Sequence, residues 1–83
     1  MQYTYKTKGV CSNAIVIDME GDTIQHVEIV GGCPGNTQGV ARLSEGRNID
    51  EVIAIVDGIK CGPKPTSCPD QLAQALKAIK AQQ

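Results

Sequence analysis

Eighty-three residues with eight Lys and Arg against nine Asp and Glu form a single domain, 1–83. The balanced charge lacks the clustered basic field that phosphate backbones require, so nucleic acid is set aside as a main partner. There is no Phe and no Trp, and Tyr3 and Tyr5 are the only aromatic side chains. Ile, Val, Leu and Ala must then fill the core of a chain that buries only roughly two-thirds of its unfolded surface, and a covalent or metal staple would add stability.

Residues 1–6 alternate polar and apolar and lack the run of roughly 7–15 apolar residues found in a signal peptide. No stretch approaches the ~18 apolar residues of a membrane span. A cytoplasmic setting is expected, where thiols stay reduced and four cysteines point to metal or redox chemistry rather than to a disulfide framework.

Taken in order, residues 2–7 alternate as a strand, with Tyr3 and Tyr5 on one side. Lys8-Gly9 follows as a turn. Residues 12–20 form a second strand and 24–31 a third, joined at Gly21-Asp22-Thr23. Parity fixes the expected pairing. Ile15, Ile17 and Met19 share a face, as do Val27 and Ile29, so a three-residue loop at 21–23 sets Ile15 opposite Ile29, Ile17 opposite Val27 and Met19 opposite Gln25. A slip of one residue would turn one apolar set outward. Extended to the open end, this register sets Asn13 opposite Gly31 and Cys11 opposite Cys33, both on the core side, with Cβ atoms about 5 Å apart. On the other face Asp18 lies across from His26 as a surface pair.

A short helix follows Cys33-Pro34-Gly35, with Asn36 as its expected N-cap, Val40 and Leu43 on its buried side and Gly46 as its stop. Asn48 caps a second helix with the stripe Ile49, Val52, Ile53 and Val56, and Asp50 and Glu51 in its first turn favour the dipole. Gly58 ends it. A last helix starts at Ser67 or Cys68, with Ser67 and Asp70 in a capping-box-like spacing, Pro69 in the first turn, and Leu72, Leu76 and Ile79 as its stripe. The fold class is α+β: a three-stranded antiparallel sheet followed by two to three helices packed on one face.

Between the last two helices runs Cys61-Gly-Pro-Lys-Pro-Thr-Ser-Cys68-Pro-Asp70, a connector with no periodicity of its own. Something other than backbone pairing must fix it, and the cysteines are the candidates. The spacing of Cys11, Cys33, Cys61 and Cys68 is not the paired CxxC of common zinc ribbons. Convergence of the hairpin end with the connector would nonetheless give four thiolates, which suit a closed tetrahedral zinc site without an open catalytic position. Ligation energy would then become folding energy. An iron–sulfur cluster could use the same ligands. Alternatively, Cys61 and Cys68 form a thiol–disulfide couple, with Lys60 and Lys64 beside it, or all four are small core residues without a joint role. Cys33-Pro34 and Cys68-Pro69 each stand at a helix start. The macrodipole there favours thiolate, the form that both ligates metal and attacks disulfides. His26 reads as a surface residue, Asp70 as a cap, and the run Gly31-Gly-Cys-Pro-Gly35 matches neither the Walker nor the dinucleotide pattern.

Thr66-Ser67-Cys68-Pro69-Asp70 spells the motif of the TSCPD domain family. With Cys11, Gly32-Cys33-Pro34-Gly35-Asn36 and Cys61-Gly62-Pro63, nearly the whole chain resembles the small four-cysteine members of that family. Related domains stand at the C-terminal end of cobalamin-dependent ribonucleotide reductases. The resemblance therefore implies the cysteine set and an accessory role to such an enzyme in ribonucleoside-diphosphate reduction and DNA precursor synthesis, through redox or nucleotide-linked work. Reductase catalysis itself does not carry over, because it needs a large barrel, a radical generator and a substrate pocket.

Overall fold

The structure is a computed structural model and describes residues 2–7, 12–31, 34–60, 62–63 and 66–82, without the side chains of Ser12, Pro34 and Asn36. Its elements are β1 (Gln2–Lys6), β2 (Ser12–Glu20), β3 (Thr23–Gly31), α1 (Pro34–Ser44), α2 (Ile49–Val56) and α3 (Cys68–Gln82). The strands form one antiparallel sheet in the order β1-β2-β3, an α+β arrangement of the expected kind. No helix among the described residues is long and apolar enough to cross a membrane.

Alternation places Ile15, Ile17 and Met19 of β2 on the inner face, where all three are buried. Tyr3 stands opposite Ile17 and Tyr5 opposite Ile15, and both rings extend the core toward β1. The helices supply the second layer. α3 lies against β2 and buries Leu72, Ala73, Ala75, Leu76 and Ile79, α2 pairs with α3 through Ile49, Val52 and Val56, and α1 runs back along β3. Asn48 caps α2 as expected, its Oδ1 accepting from Asp50 N–H at 2.8 Å.

The β2–β3 hairpin keeps its expected pairs at Ile15–Ile29, Ile17–Val27 and Asp18–His26, but its turn does not follow the three-residue pattern. Glu20 pairs with Thr23 and Met19 with Ile24, so two residues make the turn and Gln25 becomes the extra residue of a β-bulge. The bulge restores what a two-residue loop alone would lose. It turns Ile24 into the core at 0 % exposure and leaves Gln25 outside. A second irregularity lies at the open end, where Ser12 rather than Asn13 pairs with Gly31. Gly31 has φ +82, and a Cβ there would stand 3.0 Å from Asn13 Nδ2, so both conformation and space call for glycine.

β3 is an edge strand, and the turn between α1 and α2 covers its first half. Ile24 donates to the Arg47 carbonyl at 2.9 Å and accepts from Gly46 N–H at 2.7 Å, while Ile49 N–H reaches the Asp22 carbonyl at 2.8 Å. Gly46 takes φ +83 to make that pairing and ends α1, as its place in the sequence suggested. α1 itself differs from expectation in two ways. It begins at Pro34, so Asn36 lies inside it and is not its N-cap. Its buried side is Thr37, Ala41 and Ser44, with Val40 half-buried and Leu43 69 % exposed. Small side chains let α1 lie close along the strand, and Leu43 is left facing away.

Truncation at the bulge separates the two hairpin geometries. Ile24→Ala is expected to cost about 2–5 kcal/mol of unfolding free energy, since it empties a fully buried site. Gln25→Ala should change stability by no more than about 0.5 kcal/mol. Urea titration of the two variants checks this, and a larger loss at Gln25 than at Ile24 would contradict the bulged register.

Candidate functional site

The start of α3 is built by its own motif. Ser67 Oγ accepts from Asp70 N–H at 3.2 Å, and the Ser67 carbonyl accepts from Gln71 N–H at 2.8 Å. The same hydroxyl donates to the Ile59 carbonyl at 2.6 Å, so the cap is also a tie to the segment after α2. Asp70, 7 % exposed, adds a second tie, because its carboxylate accepts from Gly58 N–H at 2.7 Å and from the Thr66 hydroxyl. Gln71 Nε2 donates to Thr66 Oγ1 at 3.0 Å and holds that hydroxyl in place. The capping-box expectation thus accounts for the Asp70 amide. The carboxylate reaches a partner 12 residues back, beyond any local pattern.

These contacts set the charge state of Asp70. The Thr66 hydroxyl lowers its carboxyl below the ordinary carboxylate value, burial opposes this, and the Gly58 amide, the Gln74 side chain and the Lys77 ammonium reinforce the lowering. Lys77 also pairs with Asp57, the C-cap of α2, at 2.8 Å, and Lys80 pairs with Asp50. The α2–α3 junction is therefore closed by hydrogen bonds at the connector and by exposed ion pairs along the helices.

Of the four predicted ligand residues, Cys68 is described: it is the first residue of α3 and is half-buried. Cys11, Cys33 and Cys61 lie outside the described residues. The chain on either side of them is described in part. Ser12 and Gly31, which adjoin the Cys11 and Cys33 segments, are partners at one end of the hairpin. Ile59 and Ser67, which adjoin the Cys61 and Cys68 segments, are joined by the hydroxyl-to-carbonyl bond above. The register expected to set Cys11 opposite Cys33 is displaced at Asn13, before it reaches either cysteine. Among the described residues no three His, Cys, Asp or Glu side chains converge as a metal site, and three of the four cysteines are not among them.

A separate cleft of about 430 Å³ opens between β3 and α1. Its helix wall is Thr37, Gln38, Ala41, Arg42 and Glu45, and its strand wall runs from His26 to Gly31. Glu45 closes one end, with His26 Nδ1 2.8 Å and Val27 N–H 3.2 Å from its Oε2. Asp18 does stand across from His26 as expected, but the side-chain contact His26 makes is with Glu45, which reaches over the strand edge. The sequence reading missed Glu45. Its position at the end of α1 carries no local signal, and only the return of α1 along β3 brings it to His26.

A family model described as TSCPD domain matches residues 2–80, nearly the whole chain. No curated protein and no solved structure matches it.

The Asp70 ties predict an acid-sensitive component of stability. With its carboxyl lowered in the folded state, the carboxylate contributes stability that is fully present above its unfolded value and is lost as the pH falls through the folded value. Asp70→Ala should cost about 1–3 kcal/mol at neutral pH, because it strands the Gly58 N–H. The difference from the parent chain should shrink on acidification below the ordinary carboxylate range. Denaturant melts of both proteins from neutral to acid pH measure it, and a difference that grows on acidification would refute this role.

Proposed function

The chain belongs to the TSCPD domain family, and on that premise we propose that Cys11, Cys33, Cys61 and Cys68 hold one zinc ion as a structural and interaction module, an accessory to a larger enzyme such as a ribonucleotide reductase. The observation that carries the reading is the bond from Ser67 Oγ to the Ile59 carbonyl. It draws together the two chain segments on which Cys61 and Cys68 follow, two residues after Ile59 and one after Ser67. Ser12, next to Cys11 in the chain, and Gly31, two residues before Cys33, are likewise partners. The described residues beside each pair of cysteines are thus partners, which supports the reading.

Four thiolates fit zinc in chemistry and number, and zinc held by four protein sulfurs has no vacant position for substrate. The metal would supply folding energy to a connector rich in Pro and Gly. An iron–sulfur cluster is a second occupant of the same ligands. The same Ser67–Ile59 bond supports a competing thiol reading, in which Cys61 and Cys68 exchange with a disulfide of a thioredoxin-like donor and serve ribonucleoside-diphosphate reduction as a redox component.

Elemental analysis of protein purified without chelator should find about one zinc per chain, with a chelator abolishing the cooperative unfolding transition. Cys→Ser at each of the four positions should lower metal content. Four freely titrating thiols in a folded, metal-free sample would overturn the zinc reading. Reversible oxidation of Cys61 and Cys68 in that sample would favour the redox one.

A further inference from the structure

We propose that the outer edge of β1 is an interface between two copies of this chain, which pair antiparallel through Gln2–Lys6 about a two-fold axis at Thr4 and join their three-stranded sheets into one. The first half of the β3 edge is closed by the turn between α1 and α2. β1 is the opposite edge, and among the described residues β2 is the only element that pairs with it. Such an edge offers a row of backbone donors and acceptors to another strand.

Hydrogen-bond parity points to the occupant. Thr7 N–H donates to the Asn13 carbonyl at 3.2 Å, so Thr7, Tyr5 and Tyr3 turn their backbone groups toward β2. Val27 gives the same phase independently. Its N–H points off the far edge to Glu45, so the Ile17–Val27 pair is not hydrogen-bonded and Ile17 turns its groups toward Tyr3. Gln2, Thr4 and Lys6 therefore direct their N–H and C=O groups away from the sheet. Two copies related at Thr4 set Thr4 opposite Thr4, Gln2 opposite Lys6 and Tyr3 opposite Tyr5. Each outward group then meets its complement, in about six bonds. A two-fold at Tyr3 or Tyr5 keeps the phase but leaves out one end of the strand. No like charges stand opposite, because Lys6, the one charged residue of β1, faces Gln2.

The aromatic pairs fall at the non-hydrogen-bonded positions, where facing side chains come closest. Tyr3 and Tyr5 are the chain's only aromatic residues and are half-buried at the margin of the core. Pairing gathers the rings of both copies on the helix side of the seam. There is room for them. α3 lies against β2, so three strand spacings, about 14 Å, separate the α3 helices of the two copies, against about 8–10 Å for helices in contact. A second β1 supplies both Tyr partners and the neutral partner for Lys6 by symmetry alone, which commits the edge to a copy of this chain.

Sedimentation equilibrium of the full chain in reducing buffer, from about 1 μM to about 1 mM, tests the pairing. A strand of five residues makes an interface at the small end of the range, so a dimer with a dissociation constant of roughly 10–100 μM is expected. Thr4 is exposed and faces its own copy across the axis. Thr4→Lys and Thr4→Asp should each weaken dimerisation about tenfold or more by setting like charges opposite, and an equimolar mixture of the two should dimerise about as well as the parent. An otherwise unchanged amide spectrum confirms that each variant is folded. In the parent, exchange of Thr4 N–H should slow about fivefold across the dimerisation range, whereas Tyr5 N–H, bonded to β2, should be protected at every concentration. A chain that stays monomeric throughout would overturn the proposal. So would charge variants that dimerise like the parent, a mixture no better associated than its components, or Thr4 exchange indifferent to concentration. The pairing uses none of the cysteines, so these outcomes are separate from metal at that site.

Discussion

Ile24 and Val27 are three residues apart on one strand and both are buried, which a regular strand does not allow. The fold depends on how that conflict is resolved. With no Phe or Trp in the chain, the inner face of the sheet cannot spare a branched side chain, and the bulge at Gln25 lets both residues turn inward. A bulge also bends the strand and changes which backbone groups face outward. At Ile24 those groups meet Gly46 and Arg47, so the irregularity that saves the core also creates the seam on which the α1–α2 turn is pinned. One inserted residue thus connects the packing of the sheet to the placement of two helices.

A second seam closes the other side of the molecule. Gly58 and Ile59 at the end of α2 are bound to Asp70 and Ser67 at the start of α3, each by a side chain that also serves the connector or the helix start. Two hydrophobic helices could pack at several offsets, and burial alone discriminates weakly among them. Hydrogen bonds to specific backbone groups do discriminate, since a buried donor left without its acceptor costs more than a misplaced methyl gains. The TSCPD motif residues Thr66, Ser67 and Asp70 therefore have a structural reason that is independent of any metal. Cys68, between them, is placed by their geometry.

Much of this was legible from the order of the residues. Strong alternation in β2, the i, i+3, i+4, i+7 stripe of α2 and the i, i+4, i+7 stripe of α3 fix those elements because burial rewards only one phase of each pattern. The pairs Ile15–Ile29 and Ile17–Val27 follow from the same parity. The bulge was not legible, because a parity argument counts residues evenly and sets Gln25, not Ile24, opposite Met19. The buried side of α1 escaped for a related reason. Thr37, Ala41 and Ser44 are chosen for smallness against β3, and a search for apolar bulk points to Leu43 instead. As for the candidate site, the sequence offers four cysteines and a motif, whereas the Asp70–Gly58 and Glu45–His26 contacts join residues whose proximity is created only by the tertiary fold.

The proposed thiolate set and the β3 seam meet at α1. Its C-terminal end is fixed to β3 by backbone pairing at Ile24 and by Glu45 on Val27 and His26. Its N-terminal end opens at Pro34, directly after Cys33. Under the four-thiolate reading, ligation of Cys33 fixes this second end, and a helix held at both ends keeps a constant separation from the strand beside it.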